Sequence, residues 1–297
     1  MKVLVIGKTG QLAQELARAE WPEGWSPQFS ARNEMDLAEP RSAAKAVCER
    51  KPALVINAAA YTAVDKAESE PELAMRINGK APGALAETCA ALRIPFVTVS
   101  TDYVFDGRKD GPYTECDSLS PLGAYGRSKA EGERRVREAC ESHIILRTSW
   151  VFSAFGSNFV KTMVRLARER DSIGVVNDQH GRPTPAADLA SAIIEASRGV
   201  LDRPELAGTY HVANAGPVSW FEFAQAIFSE ARERGARTPA VRGIATAEYP
   251  TPARRPRNSE LATVKFESTF GLALRHWREP LRDTIDELLP ASAALQA

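Results

Sequence analysis

Met1-Lys2-Val3-Leu4-Val5-Ile6-Gly7-Lys8-Thr9-Gly10-Gln11-Leu12-Ala13 reads as a short apolar strand, a glycine turn and the opening of a helix. The unbroken run Val3–Ile6 suits a strand buried on both faces. Gly7 and Gly10 permit a tight turn and close backbone approach. The helix that begins at Gln11 and Leu12 then offers unsatisfied N–H groups to an anion such as a pyrophosphate. Ala13 stands where a third glycine completes Gly-x-x-Gly-x-x-Gly. That position governs helix–strand packing, and alanine serves there. The strand–turn–helix context favours a dinucleotide turn over the competing reading, an ordinary βα connection.

The rhythm set by this stretch continues outward. Val3–Ile6, Ala53–Ile56, Phe96–Val99 and Ile144–Leu146 read as buried strands. Gln11–Ala19, Arg41–Arg50, Pro71–Leu92 and Ala124–Cys140 read as helices between them. Such alternation predicts an α/β fold, a doubly wound parallel sheet of Rossmann type. After about Trp150 the pattern loosens into helices near 156–170, 186–201, 219–235 and 278–289, with short strands near 173–177 and 209–213. The expected division is a dinucleotide-binding domain over 1–150, with parts of 186–215 returning to it, and a smaller substrate-binding lobe over 151–297.

Bulk properties narrow the partners. In 297 residues, Lys+Arg and Asp+Glu balance at 38 each, so no overall field favours nucleic acid or an acidic membrane surface. Cys48, Cys89, Cys116 and Cys140 are widely spaced, with no metal-like pairing, as expected of reduced thiols in the cytoplasm. The first apolar run is too short for a signal peptide, and no stretch reaches the length of a membrane span. A cytoplasmic protein is the expectation.

Cofactor choice is read at the end of the second strand. An acid there binds a ribose 2′-hydroxyl, whereas arginine accommodates a 2′-phosphate. Gln28-Phe29-Ser30-Ala31-Arg32-Asn33 presents Arg32 and no acid before Glu34, so NADPH is expected to be accepted alongside or ahead of NADH. The competing reading leaves Arg32 in solvent. Asp36-Leu37 and Asn57-Ala58-Ala59-Ala60 lie where the adenine and the nicotinamide ribose would be lined.

Tyr125 and Lys129 share a helix face one turn apart. A phenol near 10 is a sluggish proton donor, and an ammonium beside it favours the phenolate and brings that value down. Ser100-Thr101-Asp102-Tyr103-Val104-Phe105 follows the fourth strand at its carboxyl end, where ligands bind a parallel sheet. There Thr101 is placed to donate to a substrate carbonyl, with Tyr125 as general acid.

Glycine turn, Asn-Ala-Ala, Ser-Thr and Tyr-x-x-x-Lys in this order resemble the extended short-chain dehydrogenase/reductase family. Within it, Asn57–Glu70, Ser100–Phe105, Arg147–Val151, Asn158-Phe159, Asn177-Asp178-Gln179 with Gly181 and Pro183-Thr184, and Arg255-Pro256 with Asn258-Ser259 resemble the dTDP-4-dehydrorhamnose reductases. The resemblance implies a nucleotide-sugar substrate, dTDP-4-dehydro-L-rhamnose, reduced at its 4-keto group in the last step of dTDP-L-rhamnose synthesis. It implies that Lys129 holds the nicotinamide ribose and that Tyr61, Thr62 and Val99 join Tyr125 and Lys129 against the cofactor. For the substrate it implies Thr101, Asp102, Trp150, Asn158, Arg255 and Asn258. Trp150 would lie on the sugar, with core packing as its competing role. Arg255 would take the pyrophosphate by charge-assisted bonds.

One departure concerns metal. Some members of the family dimerise around Mg²⁺ held by two glutamates. Glu15 matches the first, but Ala187 stands at the second, and the neighbouring Asp188 is turned about a quarter of a helical circumference aside. A hard cation needs several converging oxygens. No metal ligand is therefore assigned, and a monomer or weak homodimer is expected. Two other readings stay open: a nucleotide-sugar 4-ketoreductase of different specificity, and a non-catalytic regulatory subunit of the methionine adenosyltransferase type.

The cofactor reading has a direct check. Arg32→Ala should shift the ratio of kcat/KM for NADPH over NADH toward NADH; an unchanged ratio removes the assignment.

Overall fold

Alternate residues of the first strand, β1 (Lys2–Ile6), enter two different cores: Val3 and Val5 on one face, Leu4 and Ile6 on the other. This period of two, with both faces apolar, is what a sheet covered on both sides demands. In the computed structural model, which describes residues 1–290, the same holds for β3 (Leu54–Asn57), β4 (Phe96–Thr101) and β5 (His143–Thr148). With β2 (Ser26–Ser30) and a later strand over Gly208–His211 they form a six-stranded parallel sheet. Its order places β1 between β2 and β3, and then β4, β5 and the Gly208–His211 strand outward. Chain direction across the sheet reverses at β1, the switch point where such folds open a crevice beyond the strand ends.

Helices cover both faces. On one lie α2 (Pro40–Arg50), α5 (Ala81–Leu92) and α6 (Ala124–Ala139); Val47, Leu85, Ala86 and Val136 pack there against Leu4, Ile6 and Phe96. On the other, α1 (Gln11–Arg18) supplies Leu12 and Leu16, and a helix over Ala186–Asp202 supplies Leu189 and Ile193. Segments 186–202 and 208–211 thus complete the sheet and its cover.

Between β3 and α5 the chain forms α3 (Val64–Ala67), α4 (Pro71–Ala74) and a π-helical segment, Met75–Lys80. The single helix expected over Pro71–Leu92 is therefore interrupted. Asn78, buried in the π turn, accepts from Tyr61 N at 2.8 Å and donates to Tyr61 O at 2.9 Å and Ser128 Oγ at 3.1 Å. Gly132 of α6 packs where any Cβ would strike the Asn78 carbonyl. The extra residue per turn aims this amide at the loop after β3, the kind of local function π turns serve.

The chain after β5 also builds a second core around Phe152, Phe223, Phe228, Trp277 and Ile285, while its segments 186–202, 208–211 and 264–270 pack into the first. Its elements in order are β6 (Val151–Phe152), α7 (Phe159–Glu169), β7 (Ser172–Val176), β8 (His180–Gly181), β9 (Thr184–Pro185), α8 (Ala186–Asp202), β10 (Gly208–His211), β11 (Val218–Ser219), α9 (Trp220–Glu233), β12 (Ala240–Ile244), β13 (Asn258–Ser259), α10 (Val264–Phe270) and α11 (Arg278–Leu288). β12 pairs with β7, and β8 joins β11 to β13. Ser219 and Glu222 close a reciprocal capping box that starts α9.

One charged contact ties helix to sheet. Arg147 on β5 donates to both oxygens of Glu133 on α6, Nε at 2.9 Å and Nη2 at 2.6 Å, with Ser100 Oγ adding a bond at 2.6 Å. Both side chains are at most 3% exposed. Burial pushes the Glu133 carboxyl up, but the Arg147 bonds and charge outweigh it and hold the group below the usual range. Burial and the Arg147 charge push His211, which shares that guanidinium, down to about 3. It is neutral at physiological pH. Removing one partner of such a pair strands the other in a dry interior. Glu133→Ala should lower unfolding stability by about 3–5 kcal/mol, whereas Glu133→Leu with Arg147→Met should lose less than the sum of the single changes, as read by urea titration.

Candidate active site

The turn after β4 and the first two turns of α6 meet at the carboxyl end of the sheet. Asp102–Val104 form a 3₁₀ turn capped by Thr101, whose hydroxyl accepts from Tyr103 N at 3.2 Å. That hydroxyl also donates to Asp102 Oδ1 at 2.9 Å. Gly126, next to Tyr125, lets α6 sit on this turn, because any Cβ there would strike the Tyr103 carbonyl. The Tyr103 ring meets the Tyr125 ring edge-on, centroids 5.6 Å apart. Tyr125, Lys129 and Glu133 follow at single-turn intervals on α6, so the Glu133–Arg147 pair sets the depth of the other two.

Electrostatics here differ from the expectation in one respect. Burial pushes the Tyr125 phenol well above its ordinary value; the Thr101 hydroxyl opposes this and the Asp102 charge adds to it. Lys129 is not among the groups that move it, and its Nζ donates to Val99 O at 2.7 Å. In place of the expected lowering by Lys129, the half-buried phenol is held above its ordinary value. Burial, opposed by Glu133, brings the Lys129 ammonium down to about 8. Asp102 is 3% exposed, and burial pushes its carboxyl up to about 6 against hydrogen bonds from Ser259 and Thr101. Among the described residues its Oδ2 has no hydrogen-bond partner.

On the cofactor side, Gly7 adopts φ +118°, a left-handed conformation that favours glycine. Gly10 is the N-cap of α1 and no side chain caps the helix, leaving its first N–H groups to an anion. The turn therefore fits a dinucleotide pyrophosphate. Gln11, half-buried, bridges to the second lobe through Val151 O at 3.3 Å and Asn158 Nδ2 at 3.2 Å, while Leu12 is core. Arg32 is exposed and lies 3.4 Å from Asp36, whose other oxygen accepts from Ala38 N. Leu37 is buried beneath them. Ala60 and Thr62 are exposed along the crevice, and Tyr61, its backbone held by Asn78, donates its hydroxyl to Glu70 at 2.8 Å.

The second lobe faces this cleft with aromatic and basic groups. Trp150 has a left-handed backbone, φ +50°, and stacks on Trp220 at 3.5 Å with Gly181 beneath it, where a Cβ would lie 2.6 Å from the indole. It remains half-buried. Arg254, Arg255, Arg257 and Lys109 line a cavity of about 440 Å³. Arg255 also pairs with Asp65 of α3 at 2.8 Å, and Asp65 accepts from Ala253 N, so the arginine loop is tied across the cleft. The amides of Asn158 and Asn258 are taken up inside the protein. Asn158 caps α7 and holds Ser153 O, whereas Asn258 holds Lys109 O and Gly111 O.

Glu15 accepts from Ser153 Oγ at 2.6 Å and faces Arg18, and Asp188 is taken by Asn214 and Arg275. Among the described residues, no group of three or more His, Cys, Asp or Glu side chains converges as a metal site, and no helix is long and apolar enough to cross a membrane. Sequence reasoning gave no role to Glu133, Asn78 and Gly126, and met Arg147 and Asp65 only as members of motifs. Glu133 did leave a signal, continuing the spacing of Tyr125 and Lys129.

The family described as RmlD substrate binding domain matches residues 1–289. The dTDP-4-dehydrorhamnose reductase of Escherichia coli K12 is 42% identical over 298 residues, covering 99% of this chain and all of that protein. A dTDP-4-dehydrorhamnose reductase of Clostridium acetobutylicum superposes with a TM-score of 0.90 at 38% identity, over 97% of this chain and 99% of the other. The enzyme of Bacillus anthracis, solved in complex with NADP, gives 0.89 at 36% identity, over 96% and 99%. With this similarity spanning nearly the whole of every chain compared, the protein belongs to the dTDP-4-dehydrorhamnose reductase family.

Proposed function

We infer that this chain reduces the 4-keto group of dTDP-4-dehydro-L-rhamnose to give dTDP-L-rhamnose, with NADPH as reductant. The observation that carries the residue assignment is the half-buried phenol of Tyr125 beside the Thr101 hydroxyl at the carboxyl end of β4. The Gly7–Leu12 turn would hold NADPH, whose chemistry when bound is donation of a hydride. Reduction of a ketone also requires a proton at the carbonyl oxygen, and a phenol that burial keeps protonated has one to give. A developing alkoxide is a far stronger base than a phenolate, so the raised value does not block the transfer.

Turned from Asp102, the Thr101 hydroxyl donates its one proton to the C4 oxygen and aligns it with Tyr125 Oη, a contact that strengthens as negative charge grows. Lys129 would bind the nicotinamide ribose, and the exposed Arg32 would meet the adenosine 2′-phosphate. Trp150, stacked on Trp220 and packed against Gly181, offers the sugar its exposed edge, and Asp102 its unpartnered oxygen to a sugar hydroxyl. Arg255 and its neighbours meet the substrate diphosphate, the chemistry that a guanidinium fork suits.

These roles predict a clear division of effects. Tyr125→Phe should lower kcat by ~10²–10⁴, with cofactor affinity by fluorescence titration almost unchanged. Near-normal turnover would remove Tyr125 as the proton donor.

A further inference from the structure

The N-terminus of α6 is capped from a distant part of the chain. Its N-cap residue is Gly123, at φ −125° and ψ 174°, and no side chain of the helix's own turn takes up the first N–H groups. Glu68, at the end of α3, accepts from Ala124 N through Oε1 at 2.7 Å, half-buried. The absence of a Cβ at position 123 makes this possible, for one would lie 2.5 Å from that same oxygen. Gly123 is not in a left-handed conformation, so space rather than backbone freedom explains the glycine. The residue after Ala124 is Tyr125.

We propose that Glu68 is a positioning residue for the reaction: its carboxylate fixes the first turn of α6, and through it the aim of the Tyr125 hydroxyl. A carboxylate is well matched to this place, since it satisfies an orphan donor and sits at the positive end of the helix dipole. The deeper part of α6 is held independently by Glu133 and Arg147. Losing Glu68 therefore loosens the first turn, where the proton donor sits, more than the second, which carries Lys129. Small displacements of a reacting group cost rate steeply.

The proposal rests on Tyr125 being the proton donor, and its test separates the two. Glu68→Ala should lower kcat about tenfold, with KM for NADPH and for the sugar nucleotide changed less than about twofold. Glu68→Gln keeps an acceptor oxygen and should stay near wild type. Gly123→Ser alone should lower kcat, because its Cβ displaces the carboxylate. Combined with Glu68→Ala, the same serine finds room, caps the turn through its hydroxyl, and should restore most of the lost kcat. Two harmful changes that rescue each other are not expected of a general loss of stability. Wild-type kcat in Glu68→Ala, or losses that simply accumulate in the double variant, would overturn the proposal. If Tyr125→Phe retains turnover, the proton-donor assignment fails instead, whatever Glu68 does.

Discussion

Glu133 and Arg147 meet in a dry interior where neither charge is tolerable alone, and the placement of the chemistry follows from their pairing. One group rides on the helix that carries Tyr125 and Lys129, the other on the strand beside Ser100 and Thr101. The fork geometry leaves little freedom to slide or rotate. Because Tyr125, Lys129 and Glu133 share one helix face, fixing the last in depth fixes the others against the ends of β4 and β5. Phe105 beneath the guanidinium and neutral His211 beside it complete the enclosure. Glycines then do the fine fitting. Gly126 lets the helix settle on the 102–104 turn, and Gly132 lets it approach the π segment.

Enclosure also sets the electrostatics. The phenol of Tyr125 is pushed up by desolvation, while Lys129 is brought down and turned to a backbone carbonyl. A reductase needs a proton to give, and a phenol held above its ordinary value retains one across the physiological range. Thr101 links this phenol to Asp102, whose carboxyl is itself pushed toward neutrality. The polar groups of the site thus form a connected set in a dry pocket, where each contact is worth more than it would be in water.

Much of the fold was legible because a two-sided parallel sheet leaves continuous apolar runs, as at Val3–Ile6 and Ile144–Leu146. The glycine turn and Tyr125-x-x-x-Lys129 were legible because their spacings are local. What could not be read depends on partners far along the chain. Nothing local marks Asn78 as a residue of a π turn, since its partners are Tyr61 and Ser128. β12 went unread because Ala240–Ile244 is a mostly exposed edge strand with neither alternation nor an apolar run. Asn158 and Asn258 show the converse limit: a motif points to a residue, but not to whether its amide faces a ligand or braces a loop.

Reaction chemistry can be followed at the atom where it is claimed to occur. With NADPH deuterated at nicotinamide C4 and dTDP-4-dehydro-L-rhamnose generated in place, transfer should put deuterium on C4 of the sugar. Proton NMR of the product should then show dTDP-L-rhamnose with its H4 signal depleted. Oxidation of the cofactor without label at C4, a product epimeric at C4, or no oxidation at all would contradict the assignment.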